Sequence, residues 1–330
     1  MTSQGKGSEL QSNRVPNLQR SAASAKDGSE PSTFAIIIPC KSLKDLCPEL
    51  LPALKTQSLP PAKIIIIPDS LNHVNKGDSF VKVLPKAGDP ATKRDYAVKH
   101  LKKTVGTVPT VLAFIDSDAY PDKNWLKNAT KHLKPKNIAA VCGPGLTPPQ
   151  NSKLQKLSGL IWSSFIGAGP YRFRNRPLKP RFVDDYPTFN LLVKTKDFQK
   201  IGGFDTKYWP GEDTKLCLDL THQLHKKILY HPSIIVFHHR RPLWLPHLQQ
   251  LSRYGFQRGR FVKLFPQTSR RFSYFLPLLF LLSLPLTWPF YLATILLTGI
   301  YHQSLLLPQA LLLTHLTYAI YFLKGLLTNS

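Results

Sequence analysis

At 330 residues and 42% hydrophobic, the chain can bury a sizeable core in one large domain or two modest ones, which excludes a chain without a core. Its 44 Lys+Arg against 19 Asp+Glu give a net charge of +25, which suits nucleic acid or anionic lipid, and phosphate-bearing substrates gain from the same field. Cys40, Cys47, Cys142 and Cys217 show no metal-ligand spacing and read as reduced thiols.

Residues 1–32 have no apolar core and read as a disordered tail rather than a signal peptide. "FAIIIPC" follows, a short, continuously apolar, β-branched run of the kind that forms a buried parallel strand. "DLCPELLPALKTQ" has helical spacing. "PPAKIIIIPDS" and "VKVLP" supply two further strands. "DPATKRDYAVKHLKK" reads as a helix with Asp89 as N-cap and Pro90 in the first turn. "TVLAFIDSD" is a fourth strand and "PDKNWLKNATKHL" a helix. Strands alternating with helices imply a doubly wound α/β sheet, whose ligands sit beyond the carboxyl ends of the strands. Asp69, Asp116 and Asp118 all fall at such ends.

Between Pro144 and Asp185 the pattern fades into a segment rich in Gly, Pro, Arg and aromatics. "YPTFNLLVKTKDFQKIGGF" restores a strand and a helix, "GEDTKLCLDLTHQLHKK" is a helix, and "ILYHPSIIVFHHRRP" gives two short strands. "LWLPHLQQLSRYGFQRGRFVKLF" is amphipathic, which suits an interfacial segment over 244–271. From Phe272 to Leu323 there is no Lys, Arg, Asp or Glu. A bilayer crossing needs about 20 apolar residues, so this stretch has room for a transmembrane helical hairpin. A buried helical pair of a soluble domain is the other reading. Arg270 and Arg271 before it and Lys324 after it place both ends in the cytoplasm by the positive-inside rule.

The chemistry lies in paired acids. Asp116 and Asp118, two apart on a turn, can share one hard divalent cation whose shell substrate phosphates complete. They also suit an exposed turn with ordinary salt bridges. Glu212 and Asp213 open a helix, where capping is one role and general-base work beside the aromatic Trp209 another. In "FHHRRP", His238 and His239 precede two arginines: an imidazole there can complete a metal shell, and an arginine can clamp a phosphate.

Together these stretches resemble the inverting, GT-A-fold glycosyltransferases of family 2, of the membrane-anchored bacterial type. "IIIPC", "IIIIPDS", "GDPATKRD", "FIDSD", "GGFDTKYWPGED", "HH" and "QRGRF" stand in that family's order over residues 33–265. The resemblance implies a Rossmann-like nucleotide-diphospho-sugar transferase domain, over 33–243, ahead of two transmembrane helices over 272–323. It implies that Pro39, Asp69, Lys93, Arg94, Asp116, Ser117 and Asp118 bind the nucleotide sugar. Asp116, Asp118 and His238 would hold Mg²⁺ or Mn²⁺, and Asp213, with Glu212 beside it, would be the catalytic base. Trp209, Gln257, Arg258 and Arg260 would serve the acceptor or its phosphates, with Phe261 standing where the family has Trp. The reaction implied is inverting transfer from a nucleotide-diphosphate sugar to a lipid-linked or cell-envelope glycan acceptor. The enzyme would sit in the inner membrane as a multi-pass protein, with its catalytic domain on the cytoplasmic face, membrane lipids as partners and no nucleic acid. Transfer to polyprenyl phosphate, and a non-catalytic basic membrane-anchored protein, are the alternatives.

Overall fold

The computed structural model describes residues 32–70 and 80–328, so the expected N-terminal tail lies outside it except for its last residue. In chain order the strands are β1 (Phe34–Pro39), β2 (Lys63–Ile67), β3 (Val81–Val83), β4 (Val111–Ile115), β5 (Ala119–Pro121) and β6 (Ile138–Cys142). They continue with β7 (Gly145–Leu146), β8 (Arg181–Val183), β9 (Asn190–Lys194), β10 (Lys227–Tyr230) and β11 (Val236–His238). Eight form one sheet in the order β3-β2-β1-β4-β9-β6-β10-β8, and β5-β11-β7 form a second, small one.

The apolar runs pair in parallel, with Ile36 beside Ile64 and Ala35 beside Leu112. Every residue of β1 and β4 is buried, and a strand covered on both faces has no polar alternation to show. Two strands break the parallel pattern: β9 enters antiparallel between β4 and β6, and β8 closes the far edge antiparallel to β10. The sheet is therefore mixed.

The first helices are α1 (Leu50–Lys55), α2 (Pro90–Lys99), α3 (Leu101–Val105), α4 (Trp125–Leu133), α5 (Lys153–Ser163) and α6 (Phe165–Ala168). The rest are α7 (Thr195–Lys200), α8 (Glu212–Leu218), α9 (Leu245–Leu264), α10 (Pro266–Ser269), α11 (Phe272–Tyr301) and α12 (Leu306–Leu327). Asp89 caps α2 as expected, its side chain accepting the Thr92 amide, with Pro90 in the first turn. The 144–185 segment, unassigned from sequence, holds α5, opened by a Ser152–Gln155 capping box, together with β7, α6 and β8.

Both C-terminal helices are long and apolar enough to cross a membrane. α12 also packs closely on the rest of the chain. α9 and α12 run side by side in the same direction: His247 Nε2 meets Thr314 Oγ1 at 3.1 Å, and Lys263 reaches the Thr328 carbonyl. Small residues permit the approach. A Cβ on Gly259 would stand 2.1 Å from the Phe322 carbonyl oxygen, and one on Gly325 1.9 Å from that of Phe256. The buried positions of α12, Leu307, Ala310, Leu311, Thr314, Tyr318, Ala319, Phe322 and Gly325, follow helical spacing as one face along its whole length.

α11 is not the straight span that its length suggests. Near its end it runs antiparallel to α12, with Tyr291 Oη 2.9 Å from His315 Nδ1 and Gly299 against Pro308. Continued straight, that register would carry Tyr274 past the end of α12. Instead Tyr274 meets Tyr318, Phe275 meets Phe322, and the rings of Phe280 and Tyr291 lie 4.4 Å apart. The stretch between them, with Pro285 and Pro289, bows outward, because each proline removes a backbone donor and crowds the preceding turn. Leu282, Leu286, Trp288 and Phe290 project from it, exposed.

Candidate functional site

The site is built where the strands end. Pro39 closes β1 opposite Ile67, so the chain leaving β2 carries Asp69 past it. α2 runs by these ends and directs two adjacent, buried cations at them. Lys93 Nζ donates to the Cys40 carbonyl and pairs with Asp69, both at 2.6 Å. Arg94 forks, one nitrogen 3.0 Å from Asp116 Oδ1 and another 3.1 Å from Glu212 Oε1. A single guanidinium thus ties the acidic pair after β4 to the acidic pair that opens α8.

The small sheet completes the cluster. β11 pairs with β5 so that His238 lies opposite Ala119, which brings the imidazole to the preceding residue, Asp118. His238 Nε2 is 3.0 Å from Asp118 Oδ1, and the ring stacks on Phe189 at 5.0 Å. Burial alone would raise the Asp118 carboxyl, but His238 and Arg241, the latter at 3.2 Å, outweigh it and hold it down at about 2. Carboxylate oxygens of Asp116 and Asp118 and a ring nitrogen of His238 lie within 4.8 Å of one another. Two hard oxygens and one imidazole fit a divalent cation such as Mn²⁺ or Mg²⁺. In the same turn the Ser117 carbonyl accepts the Cys47 amide, which fixes the loop.

A second group, Cys47, Glu49 and His239, is equally close. Its donors are engaged. His239 meets Asn151 at 2.9 Å and Glu49 at 3.3 Å, and burial pushes the Cys47 thiol up to about 12, far from a metal-binding thiolate. Of the two histidines singled out from sequence, His238 is the one that joins the Asp116–Asp118 pair.

Asp213 sits at the start of α8, its Oδ1 accepting the Thr214 amide at 2.8 Å. Part of its surface reaches solvent, yet burial in the surrounding protein pushes its carboxyl up to about 7. The charges of Glu212 and Asp185 add to that rise, and Arg258 opposes it. Gly211, just before, has φ of +138°, and a Cβ there would lie 2.2 Å from Phe261 Cζ. The residue at the position of the expected tryptophan therefore lies directly against the backbone of the acidic pair, and only glycine leaves room for it.

The "QRGRF" stretch lies on α9, but its residues separate. Arg258 is buried and pairs with Asp185 at 2.6 Å, away from open solvent. Gln257 and Arg260 keep a buried Oε1 and Nε with no hydrogen-bond partner among the described residues. Trp209 is half exposed. Sequence reasoning missed Asp185, which accepts from Arg174 and Thr214 as well as pairing with Arg258. Its signal was an acidic doublet, Asp184–Asp185, in a chain poor in acids. Arg271, read from sequence as a topology marker, ion-pairs with Asp184.

No family model matches the chain. It is 25% identical over 190 residues to the pre-mycofactocin glycosyltransferases of two Mycobacterium tuberculosis strains, an alignment that covers 56% of this chain. The chain spans 39% of the length of these curated relatives. Among solved structures it resembles the mannosyltransferase PcManGT of Pyrobaculum calidifontis, solved with GDP-Man and Mn²⁺. The TM-score is 0.55 at 14% identity, over 93% of this chain and 91% of that one. That likeness concerns the fold, a Rossmann-like GT-A sheet.

Proposed function

We propose that the chain is a metal-dependent, inverting glycosyltransferase that moves a sugar from a nucleotide-diphosphate sugar to a lipid-linked or envelope glycan acceptor. The observation that carries the reading is the convergence of Asp116, Asp118 and His238, with Arg94 joining Asp116 to Glu212 beside Asp213. The relatives' glycosyltransferase names, and the GDP-Man and Mn²⁺ in the structural neighbour, support it.

In this reading Asp116, Asp118 and His238 hold the divalent cation, which when bound neutralises the departing diphosphate. Lys93 and Asp69 border the nucleotide. Asp213 accepts the proton of the acceptor hydroxyl as that oxygen attacks the anomeric carbon from the face opposite the leaving group. A carboxyl raised toward neutral pH suits that task, because a base works best when its pKa lies near the operating pH. Purified full-length chain incubated with Mn²⁺ and a panel of sugar nucleotides is expected to release nucleoside diphosphate from at least one donor. Release from none, with or without acceptor lipids, would remove the reading.

Membrane attachment is part of the proposal, with 33–243 as the transfer domain, 244–271 as the interfacial segment and 272–323 as the anchor, both ends on the cytoplasmic side. The outward bow of α11 supports it, since Leu282, Leu286 and Phe290 stand exposed among the described residues. The full chain is expected to float with anionic vesicles even in about 0.5 M salt, where surface attraction is screened. Leu286→Asp combined with Phe290→Asp should release it under the same conditions. Retention of the double variant would place the anchor elsewhere.

A further inference from the structure

Asp185, between β8 and β9, is 4% exposed, and side chains from four other parts of the chain converge on it. Arg174, at the end of a 3₁₀ turn, donates to its Oδ2 at 3.1 Å and to its carbonyl at 3.0 Å. Arg258 of α9 pairs with Oδ2 at 2.6 Å, and the Tyr274 hydroxyl of α11 donates to the same oxygen at 3.4 Å. The Thr214 hydroxyl of α8 donates to Oδ1 at 2.9 Å. Burial alone would raise the Asp185 carboxyl, but Arg258 and Arg174 outweigh it and hold it well below the usual carboxylate range.

One cation is enough to balance one buried carboxylate, so charge balance alone does not call for two. The second matters because of its neighbour. Thr214 follows Asp213, and it bonds Asp185 through its hydroxyl and Asp213 through its amide. The groups that act on the Asp213 carboxyl are Glu212 on its own helix, Asp185 and Arg258. Lys215 is taken by Asp219 at 2.6 Å, and α10, which packs on α8, carries no titratable side chain. Without Asp185, the buried Arg258 would lose its anionic partner, and Asp213 is an acid within its field that can replace it. An arginine closed on Asp213 would favour its charged form and cover an oxygen that has to receive a proton.

We infer that Asp185 is a positioning residue for the general base: it anchors the first turn of α8 through Thr214 and keeps Arg258 from closing on Asp213. Its effect on turnover rests on the proposed role of Asp213, and its geometry on the bonded network alone. Since Arg258 belongs to α9 and Tyr274 to α11, the same carboxylate ties two C-terminal helices to the base.

The test compares variants of the full chain, with Mn²⁺ and a sugar nucleotide that the native chain turns over. Asp185→Asn keeps the size and removes the charge. The pH at which kcat/KM is half-maximal should then fall by roughly one pH unit, because a nearby like charge raises a carboxyl and a freed arginine lowers it. Thr214→Val keeps the shape, removes the hydroxyl and leaves Asp185 with both arginines, so it decides the matter if Asp185→Asn does not fold. It should lower kcat about tenfold or more with the donor KM unchanged, as a small misplacement of a reacting group does. Thr214→Ser restores the hydroxyl and should recover most of that loss. A further readout needs no turnover: the ¹³C carboxyl titration of Asp213, identified by its loss in Asp213→Asn, should move to lower pH in Asp185→Asn. Normal kcat in Thr214→Val, no recovery in Thr214→Ser, or an unmoved Asp213 titration in Asp185→Asn would each overturn the inference. Near-normal turnover in Asp213→Asn, with the Asp213 titration still tied to Asp185, would instead sink the proposed base and leave the network standing.

Discussion

Asp118→Ala is expected to abolish sugar transfer, lowering turnover by at least about a thousandfold, because in the proposed mechanism it removes a ligand of the cation that would neutralise the leaving diphosphate. The geometry predicts more than a lost ligand. Asp118 is the acceptor for both His238 and Arg241, so its removal also frees the imidazole that completes the cluster. The fold should survive, since the Asp118 side chain is partly exposed and lies on a turn beyond the buried strands. Asp118→Asn keeps the size and can still accept from His238, but it loses the charge and should fail almost as badly. Turnover at saturating donor, with melting temperature as the control for folding, checks both variants. Substantial activity in either, or full activity of the native chain in excess chelator, would contradict metal dependence through this pair.

Asp213→Asn should lower turnover by roughly 10² to 10⁴ with hydroxyl acceptors while donor affinity stays unchanged, the range expected for loss of a general base. Its pH behaviour gives an independent readout. The Asp213 carboxyl is raised from 3.8 to about 7. In the native chain kcat/KM should therefore rise with pH up to about 7 and then level, and in Asp213→Asn that rise should vanish. The stability effect has a definite sign as well. Between about pH 4 and 7 the folded state holds this proton and the unfolded state does not, so the carboxyl's contribution to stability falls as pH rises through that window. Asp213→Asn should thus gain stability relative to the native chain at pH 8 compared with pH 4. If Glu212→Gln shows the larger loss of turnover, the base is Glu212. If the acceptor oxygen belongs to a phosphate, neither substitution should approach a thousandfold loss, because that oxygen needs no deprotonation.

Much of the sheet was legible because burial on both faces leaves an unbroken apolar run, as in "FAIIIP" and "VLAFI". Strand direction was not. Nothing in "NLLVK" distinguishes a parallel from an antiparallel neighbour, and β9 runs antiparallel. The residues of the candidate metal site stand out in the sequence one by one, as acids at a strand end and a histidine pair. Their meeting depends on the two- and three-residue strands β5, β7 and β11, too short to show any periodicity. The partnership of Asp185 with Arg174 and Arg258 was invisible for a similar reason, since it joins a loop, a short 3₁₀ turn and α9 only after the chain folds. In α11 the apolar length and the prolines were both in view. What the sequence did not reveal was the register of α12, which shows that Pro285 and Pro289 bow the helix outward.

The most direct measurement is a calorimetric titration of nucleoside diphosphates into the full chain, with and without Mn²⁺, repeated on Asp118→Ala. Metal and nucleotide binding at one site must raise each other's affinity by the same factor. At least one nucleoside diphosphate should bind tens of times more tightly to the native chain with Mn²⁺ than without it, a coupling of roughly 2 kcal/mol. Asp118→Ala should show no such difference. Nucleotide affinity indifferent to Mn²⁺ in the native chain would contradict the account at its centre.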